Sequence, residues 1–302
     1  MANLPQQLIE HPLTHHLIVD IGPGIRRLVA TNQGPMTGPG TNTYIIGTEQ
    51  LAVIDPGPLD AAHVQTLMGA GNICWVVVTH THPDHSPNAK ALADVTGAQL
   101  LGMPGPDDGH QDESFAPDVV LVDGYQLTTA EFTLQAVHTP GHVANHFCFW
   151  HERSGFMFTG DHVMQGATVV IVPPSGDMKD YIASVEKLAQ FPIVALAPGH
   201  GHLMAKAQEY LAALVAHRLA REAKIMSAME NIPQPLTLAE LTPLAYDDVD
   251  GSLHAIAAYS LWAHLIKLEK EGRAVQHKEK HWLFDQAHWQ LAESVVKFDT
   301  KA

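Results

Sequence analysis

Six consecutive residues, His80-Thr81-His82-Pro83-Asp84-His85, carry four side chains suited to holding cations. Neutral imidazole nitrogens and carboxylate oxygens are the donors from which divalent-metal sites are built. Two histidines at i and i+2, leaving the end of a strand, project to one side and can grip one ion. Asp84 and His85 follow where the chain turns towards a helix, and they can grip a second ion nearby. Further candidates come in order: His142 in H-T-P-G-H, Asp161 in F-M-F-T-G-D and His200 in A-L-A-P-G-H. The Pro-Gly pair before His142 permits a sharp turn at the ligand.

Each candidate stands just past an apolar run. I-C-W-V-V-V-T precedes His80, Phe132–Val137 precedes His142, Phe156–Phe158 precedes Asp161, and Ile193–Ala197 precedes His200. Buried strands that end in polar loops fix a site on a rigid scaffold. Strand-like runs also occur at Thr43–Ile46, Leu51–Ile54, Ile73–Val78, Val119–Leu121 and Phe147–Trp150. They are rich in β-branched or aromatic residues and bounded by Gly, Pro, Asp or Asn. Helical patterns lie between them at Leu59–Ala70, Pro87–Thr96 and Met178–Gln190. Ser86 is expected to cap the second, with Pro87 at its first position. Strands and helices mixed in this way predict a layered α/β fold.

Beyond residue 203 the texture changes. A long helical pattern, His202–Asn231, ends at N-I-P-Q-P; Leu238–Tyr246 and Ser252–Glu271 follow, and Gly272 stops the last. A-V-Q-H-K-E-K-H-W-L-F then gives two strand runs around a charged turn. Three helices and a hairpin are the order of a winged helix-turn-helix. The sequence therefore predicts a catalytic domain at 1–204 and a winged-helix domain at 205–302.

Composition bounds the classes. The chain has 302 residues, 46% of them hydrophobic, and no run approaches the ~20 apolar residues of a membrane span. The N-terminal residues lack the basic and apolar regions of a secretory leader. Cys74 and Cys148 sit in apolar stretches and read as buried free thiols in a reducing compartment, so the expected location is cytoplasmic. Histidine is over-represented, at 21 residues against 17 Lys and Arg together. The net charge is −15, and it divides unevenly: −13 for residues 1–204 and −2 for 205–302.

The order H-x-H-x-D-H, T-P-G-H, G-D and P-G-H resembles the metallo-β-lactamase superfamily, an αββα sandwich with a dinuclear metal site. G-T-N-T-Y-I-I-G, I-D-P-G, F-T-G-D-H-V-M-Q-G, P-G-H-G, H-R-x-x-R-E and H-L-x-K-L-E-K-E-G-R extend it. Together these resemble the group around lactamase-beta-like protein 2, which carries a C-terminal winged helix. The similarity covers about residues 30–275. It implies that His80, His82 and His142 hold one metal, that Asp84, His85 and His200 hold the other, and that Asp161 bridges them. Two zinc ions per chain suit these ligands best, with iron or manganese as alternatives. The secreted zinc β-lactamases usually place a cysteine in the second site, and Asp161 stands there instead. Asp55, in I-D-P-G, resembles the carboxylate that orients a ligand histidine. His146 is either a further buttress or a core histidine, whereas His138, His162 and His202 read as structural. His11, His15 and His16 read as a solvated tail.

The implied chemistry is hydrolysis by a metal-bridging hydroxide, with Asp84 as the catalytic residue that shuttles a proton to the leaving group. No G-x-S-x-G elbow is present, and buried cysteines suit a thiol mechanism poorly. Two substrate classes remain: a small ester, thioester or lactone, and single-stranded RNA cut as by an endoribonuclease. Arg218, Arg221 and Lys224 recur on one helical side, and Lys267, Lys270, Arg273, Lys278 and Lys280 surround the expected wing, which favours RNA. The charge of −15 opposes phosphate binding, which favours the small molecule. A regulator with a vestigial site is the third reading, and the complete ligand set opposes it. The sequence leaves the oligomeric state open, a homo-oligomer included.

Overall fold

The protein is described from a computed structural model, which covers residue 4 and residues 7–230, 232, 234–277 and 287–292. The strands of the first half are β1 (Leu8–Ile9), β2 (Val19–Gly22), β3 (Ile25–Val29), β4 (Asn42–Ile46) and β5 (Leu51–Ile54). Helix α1 (Ala61–Met68), β6 (Ile73–Val77), α2 (Asn88–Thr96), β7 (Gln99–Gly102) and β8 (Val119–Val120) follow. Next come β9 (Gln126–Thr128), β10 (Thr133–His138), β11 (Phe147–His151), β12 (Phe156–Gly160), α3 (Met178–Leu188), β13 (Ala195–Pro198) and β14 (Leu203–Met204). Two seven-stranded sheets result, ordered β2-β3-β4-β5-β6-β7-β8 and β1-β14-β13-β12-β11-β10-β9.

Period-two alternation explains why the sheets stack. Tyr44 and Ile46 of β4 and Phe147 and Phe149 of β11 enter one core between the sheets, together with Phe158. Their neighbours point the other way. Ile45 and Val76 meet α1 and α2 on the outside of the first sheet, and Cys148 and Met157 meet α3 on the outside of the second. The order of layers is helix, sheet, sheet, helix, as the sequence implies. Strands β5 to β8 run parallel, as do β12 and β13. Helical crossovers therefore bring the C-terminal ends of β5, β6 and β12 to one edge of the sandwich.

That edge is clamped across the sheets. The Asn42 amide donates to the Gly199 carbonyl at 2.7 Å, and the Asn42 side chain donates to Pro198 and Gly201 carbonyls at 2.9 Å. Arg27, fully buried on β3, donates to the Gly201, His11 and Pro12 carbonyls. The segment holding His11 and His15 is thus tied down, His15 also contacting the Pro39 carbonyl at 2.8 Å, and is no solvated tail. Ser86 also departs from expectation. Its hydroxyl donates to Asp112 at 2.7 Å, and α2 starts one residue later than expected, with Pro87 at the cap position. Cys74 is half-buried, its thiol near the Asn72 carbonyl, while Cys148 is fully buried; both are free thiols.

The C-terminal part comprises α4 (Ala207–Met229), β15 (Leu236–Thr237), α5 (Leu238–Ala245), α6 (His254–Lys270), β16 (Ala274–His277) and β17 (His288–Leu291). The three strands pair in the order β15-β17-β16. Thr237 and Glu240 form a reciprocal capping box at the start of α5. The expected strand H-W-L-F and the cations Lys278 and Lys280 lie outside the described residues. Helix α4 belongs to two cores: Tyr210, Leu211 and Leu214 pack against the second sheet, Ile225 and Met229 against α5 and α6.

An ionic knot joins α4 to the end of α6. Glu222 accepts from Lys267 at 2.7 Å and Arg273 at 2.8 Å, and His264 stands 3.8 Å away. Burial would raise the Glu222 carboxyl, but His264 and Lys267 bring it down to about 2. A depressed carboxyl contributes stability that is present above its unfolded value and lost as pH falls through its folded one. The unfolding midpoint should therefore fall as pH drops from about 4.5 to about 2. Glu222→Gln should lower stability at neutral pH and flatten that part of the acid limb, as thermal melts against pH would show. An unchanged acid limb would contradict this assignment.

Candidate metal centre

Residues 79–85 follow β6 directly, and their conformation is set by Asp55 at the end of β5. Asp55 takes a left-handed backbone (φ 49°), which turns its carboxylate towards β6. Oδ1 accepts from the Thr79 amide at 2.7 Å. Oδ2 accepts from the Thr79 hydroxyl at 2.7 Å and from His85 Nδ1 at 2.9 Å. The Thr79 proton is thereby committed, so its oxygen accepts from His80 Nδ1 at 3.0 Å. Asp55 thus orients His80 and His85, one through Thr79 and one directly, leaving each Nε2 to face the site. Backbone carbonyls do the same elsewhere. His142 Nδ1 donates to Val170 at 2.9 Å, and His200 Nδ1 donates to Gly40 at 3.2 Å.

The facing atoms converge in two groups. His80 Nε2 and His142 Nε2 lie 2.9 Å and 3.0 Å from His82 Nδ1. Asp84 Oδ2 lies 3.3 Å from His200 Nε2 and 3.6 Å from His85 Nε2. Asp161 faces both groups: Oδ1 is 3.3 Å from His85 Nε2 and from His200 Nε2, and Oδ2 is 4.0 Å from His142 Nε2. All seven residues singled out by the sequence therefore meet at one place, and each group could hold a metal ion.

The donor set fits a cation on its own evidence. His85 Nε2, His200 Nε2 and Asp161 Oδ1 are buried with no hydrogen-bond partner among the described residues. Leaving buried polar atoms unpaired costs roughly 1–3 kcal/mol each, and a shared ion would remove that cost. Gly199 is a steric requirement of the arrangement: a Cβ there would meet Asp161 Oδ1 at 2.7 Å and His85 at 2.8 Å.

Electrostatics separate the two groups. Burial, then the neighbouring His142, pushes His82 down to about 3, and burial holds His80 well below the usual imidazole range. This first group is neutral. In the second, burial opposes protonation, but the Asp161 and Asp84 carboxylates raise His200 to about 9, and the carboxylates also raise His85. Desolvation would raise Asp161, yet His200 and His85 hold it well below the ordinary carboxylate range. By these directions His85 and His200 carry protons at neutral pH that a cation would displace, and their charges match those of the Asp84 and Asp161 carboxylates.

The neighbouring histidines make contacts of their own. His146 Nδ1 is 2.9 Å from the Thr139 hydroxyl, and its ring packs 5.0 Å from that of His80. His138 bonds the Ala144 carbonyl, His162 packs on Tyr181, and the His202 amide donates to Gln165. Sequence reasoning missed Thr79, although a hydroxyl directly before H-x-H was a usable signal. It could not have found Gly40 and Val170, which act through their carbonyls. It also missed Tyr259 of α6. That ring lines a cleft of about 280 Å³ beside His82 and His142, with Val172, Pro173, Pro174 and Asp108.

Among the described residues, six of the eight cations that favour an RNA reading are engaged within the chain. Arg218 is buried, and its guanidinium lies over the Tyr181 ring. Arg221 and Lys224 pair with Asp248, and Lys270 pairs with Asp177 at 2.5 Å. Lys267 and Arg273 meet Glu222.

Residues 36–200 match the family model for the metallo-beta-lactamase superfamily. The chain belongs to that superfamily. Residues 237–282 match the beta-lactamase associated winged helix domain. The fold is thus the superfamily's αββα sandwich followed by a winged helix, and the protein is a metal-dependent hydrolase. A beta-lactamase-like protein 2 homolog of Caenorhabditis elegans is 27% identical over 272 residues, spanning 86% of this chain and 89% of its own. An atrochrysone carboxyl ACP thioesterase of Aspergillus fumigatus is 29% identical over 222 residues, spanning 70% and 67%. Among solved structures, a beta-lactamase domain protein from Burkholderia ambifaria superposes with a TM-score of 0.78 at 18% identity over 96% of this chain and 97% of its own.

Removing the Asp55 carboxylate should loosen His80 and His85 together. Asp55→Ala is expected to weaken zinc binding by about 10–100-fold, as measured by competition with a chromophoric chelator. Affinity within twofold of wild type would contradict the buttressing role.

Proposed function

We propose that the chain is a dinuclear zinc hydrolase acting on a small acyl thioester, ester or lactone. His80, His82 and His142 would hold one ion, Asp84, His85 and His200 the other, and Asp161 would bridge them. An all-nitrogen-and-oxygen donor set of this kind suits zinc, with iron or manganese as alternatives. When bound, the pair supplies Lewis acidity and lowers the pKa of water from ~15.7 towards ~7. We keep the domain division at 204/205, which leaves α4 whole, and place the protein in the cytoplasm on its two free thiols.

The observation that carries the substrate class is the cleft beside His82 and His142. At about 280 Å³ it lies near the lower end of the ~300–1,000 Å³ range for small-molecule sites. Val172, Pro173, Pro174 and Tyr259 give it an apolar wall suited to an acyl group. Asp108 stands on the same cleft, where its negative charge disfavours a phosphodiester. The thioesterase named among the relatives agrees with an acyl substrate.

Each residue then has a task. Asp84 is the more exposed of the two ligand carboxylates, and its Oδ2 lies 3.3 Å from His200 Nε2. His85 and His200 hold it below its ordinary value against the effect of burial, so it is ionised and able to accept a proton at neutral pH. It would then pass that proton to the leaving thiol or alcohol. The RNA reading loses its structural support among the described residues, because six of the cations behind it are already engaged.

A substrate panel of an acyl thioester, a lactone, a phosphodiester and single-stranded RNA tests this reading. The zinc-loaded protein should turn over the thioester or lactone, and chelation should abolish turnover. Asp84→Asn should lower kcat by about 10²–10⁴-fold with KM little changed. Near-wild-type turnover in Asp84→Asn would refute the proton-transfer role, and activity on RNA alone would overturn the substrate class.

A further inference from the structure

Two of the candidate ligands, His142 and Asp161, are linked through intervening residues to a group that lies far along the chain and touches neither. Arg218, on α4, is buried, and its Nη2 donates to the Val169 carbonyl at 2.6 Å. The next carbonyl, Val170, is the one that accepts from His142 Nδ1 at 2.9 Å. One peptide unit therefore separates the guanidinium from the atom that orients His142. A second branch runs through Tyr181, whose ring lies 5.0 Å from the Arg218 guanidinium. The Tyr181 hydroxyl donates to the His162 carbonyl at 3.0 Å, and His162 adjoins Asp161.

The same wall presses on the turn before His142. Gly141 has φ 143°, and a Cβ there would lie 2.3 Å from Tyr181 Cα, so the T-P-G-H turn is seated on the α3 backbone. Asp177 donates its amide to the Gly141 carbonyl at 2.9 Å, and Ser184 donates to Pro140 at 2.8 Å. Lys270 of α6 pairs with the Asp177 side chain.

We propose that Arg218 is a positioning residue for the metal centre, aligning His142 through the Val169–Val170 backbone and Asp161 through Tyr181 and the His162 carbonyl. The proposal rests on the assignment of His142 and Asp161 as ligands. A guanidinium suits the task because it stays charged, donates in a fixed plane and stacks on an aromatic face at once. Lysine keeps the charge but neither the plane nor the stacking. The helix that begins the C-terminal part thus supplies a support for the metal centre, and the two parts of the chain depend on each other.

The test is a cobalt(II) titration of the metal-free full-length chain, read by visible absorption, with thermal melts in parallel. Wild type should take up two ions. In Arg218→Met, one step should weaken by about 10–100-fold, the typical cost of losing an outer partner of a ligand. Its spectrum should move towards that of His142→Ala. Arg218→Lys should show the same loss in smaller measure, and Tyr181→Phe should weaken binding several-fold while keeping the ring under the guanidinium. A purely structural Arg218 would lower the melting temperature and leave both cobalt steps within twofold of wild type, which would overturn the proposal. If Arg218→Met does not fold, Arg218→Lys decides: unchanged affinity and spectrum overturn it, and a weakened step upholds it. Wild type binding fewer than two cobalt ions would overturn the ligand assignment itself, an outcome separate from any effect of the variants.

Discussion

Bare nitrogen lone pairs pointing at one another inside a protein repel and go unsolvated, and the first group of the metal centre is an arrangement of that kind. His80, His82 and His142 approach within 3.0 Å along two contacts, and Asp161 stands between them and a second group. Such a cluster persists only if each ring is held by its far side and a cation occupies the near side. The far sides are held without exception for the four histidines that present Nε2: Thr79, Asp55, Val170 and Gly40 each take a proton from one ring. Much of the remaining architecture serves to bring those four supports within reach.

The sandwich does this by ending its central strands at one edge. Loops after β5, β6, β10, β12 and β13 supply Asp55, residues 80–85, His142, Asp161 and His200. Asn42 of the first sheet grips the loop after β13 and so fixes the sheets' relative position where it matters. The C-terminal part completes the site from outside. Tyr259 walls the cleft, and Arg218 stands behind the segment that carries Val169 and Val170. Lys267, Lys270 and Arg221 are engaged in internal pairs with Glu222, Asp177 and Asp248, so among the described residues these charges join the elements of the chain to one another.

The donor set and its strands were legible because both follow from short-range pattern. Leu51–Ile54 and Phe147–Trp150 alternate or run apolar between turn signals, and ligands sit just after such runs. β3 was not legible, because I-R-R-L-V carries two arginines in a row, and only the fold reveals that Arg27 is buried against three carbonyls. The cap at Ser86 failed for a related reason, since a distant carboxylate, Asp112, took the hydroxyl. Arg218 reads in the sequence as part of a cationic helical side, because helical periodicity cannot tell which side the rest of the chain will cover. The cleft was equally hidden, as its wall joins residues 172–174 to Tyr259.

The central claim is that Asp161 stands between two metal ions held by the other six ligands. Anomalous diffraction at the zinc edge from crystals of the zinc-loaded protein measures this directly. Two peaks ~3.5–4 Å apart are expected, one beside His80, His82 and His142 and one beside Asp84, His85 and His200, with the Asp161 carboxylate between them. A single peak, or two peaks not flanking Asp161, would contradict the account.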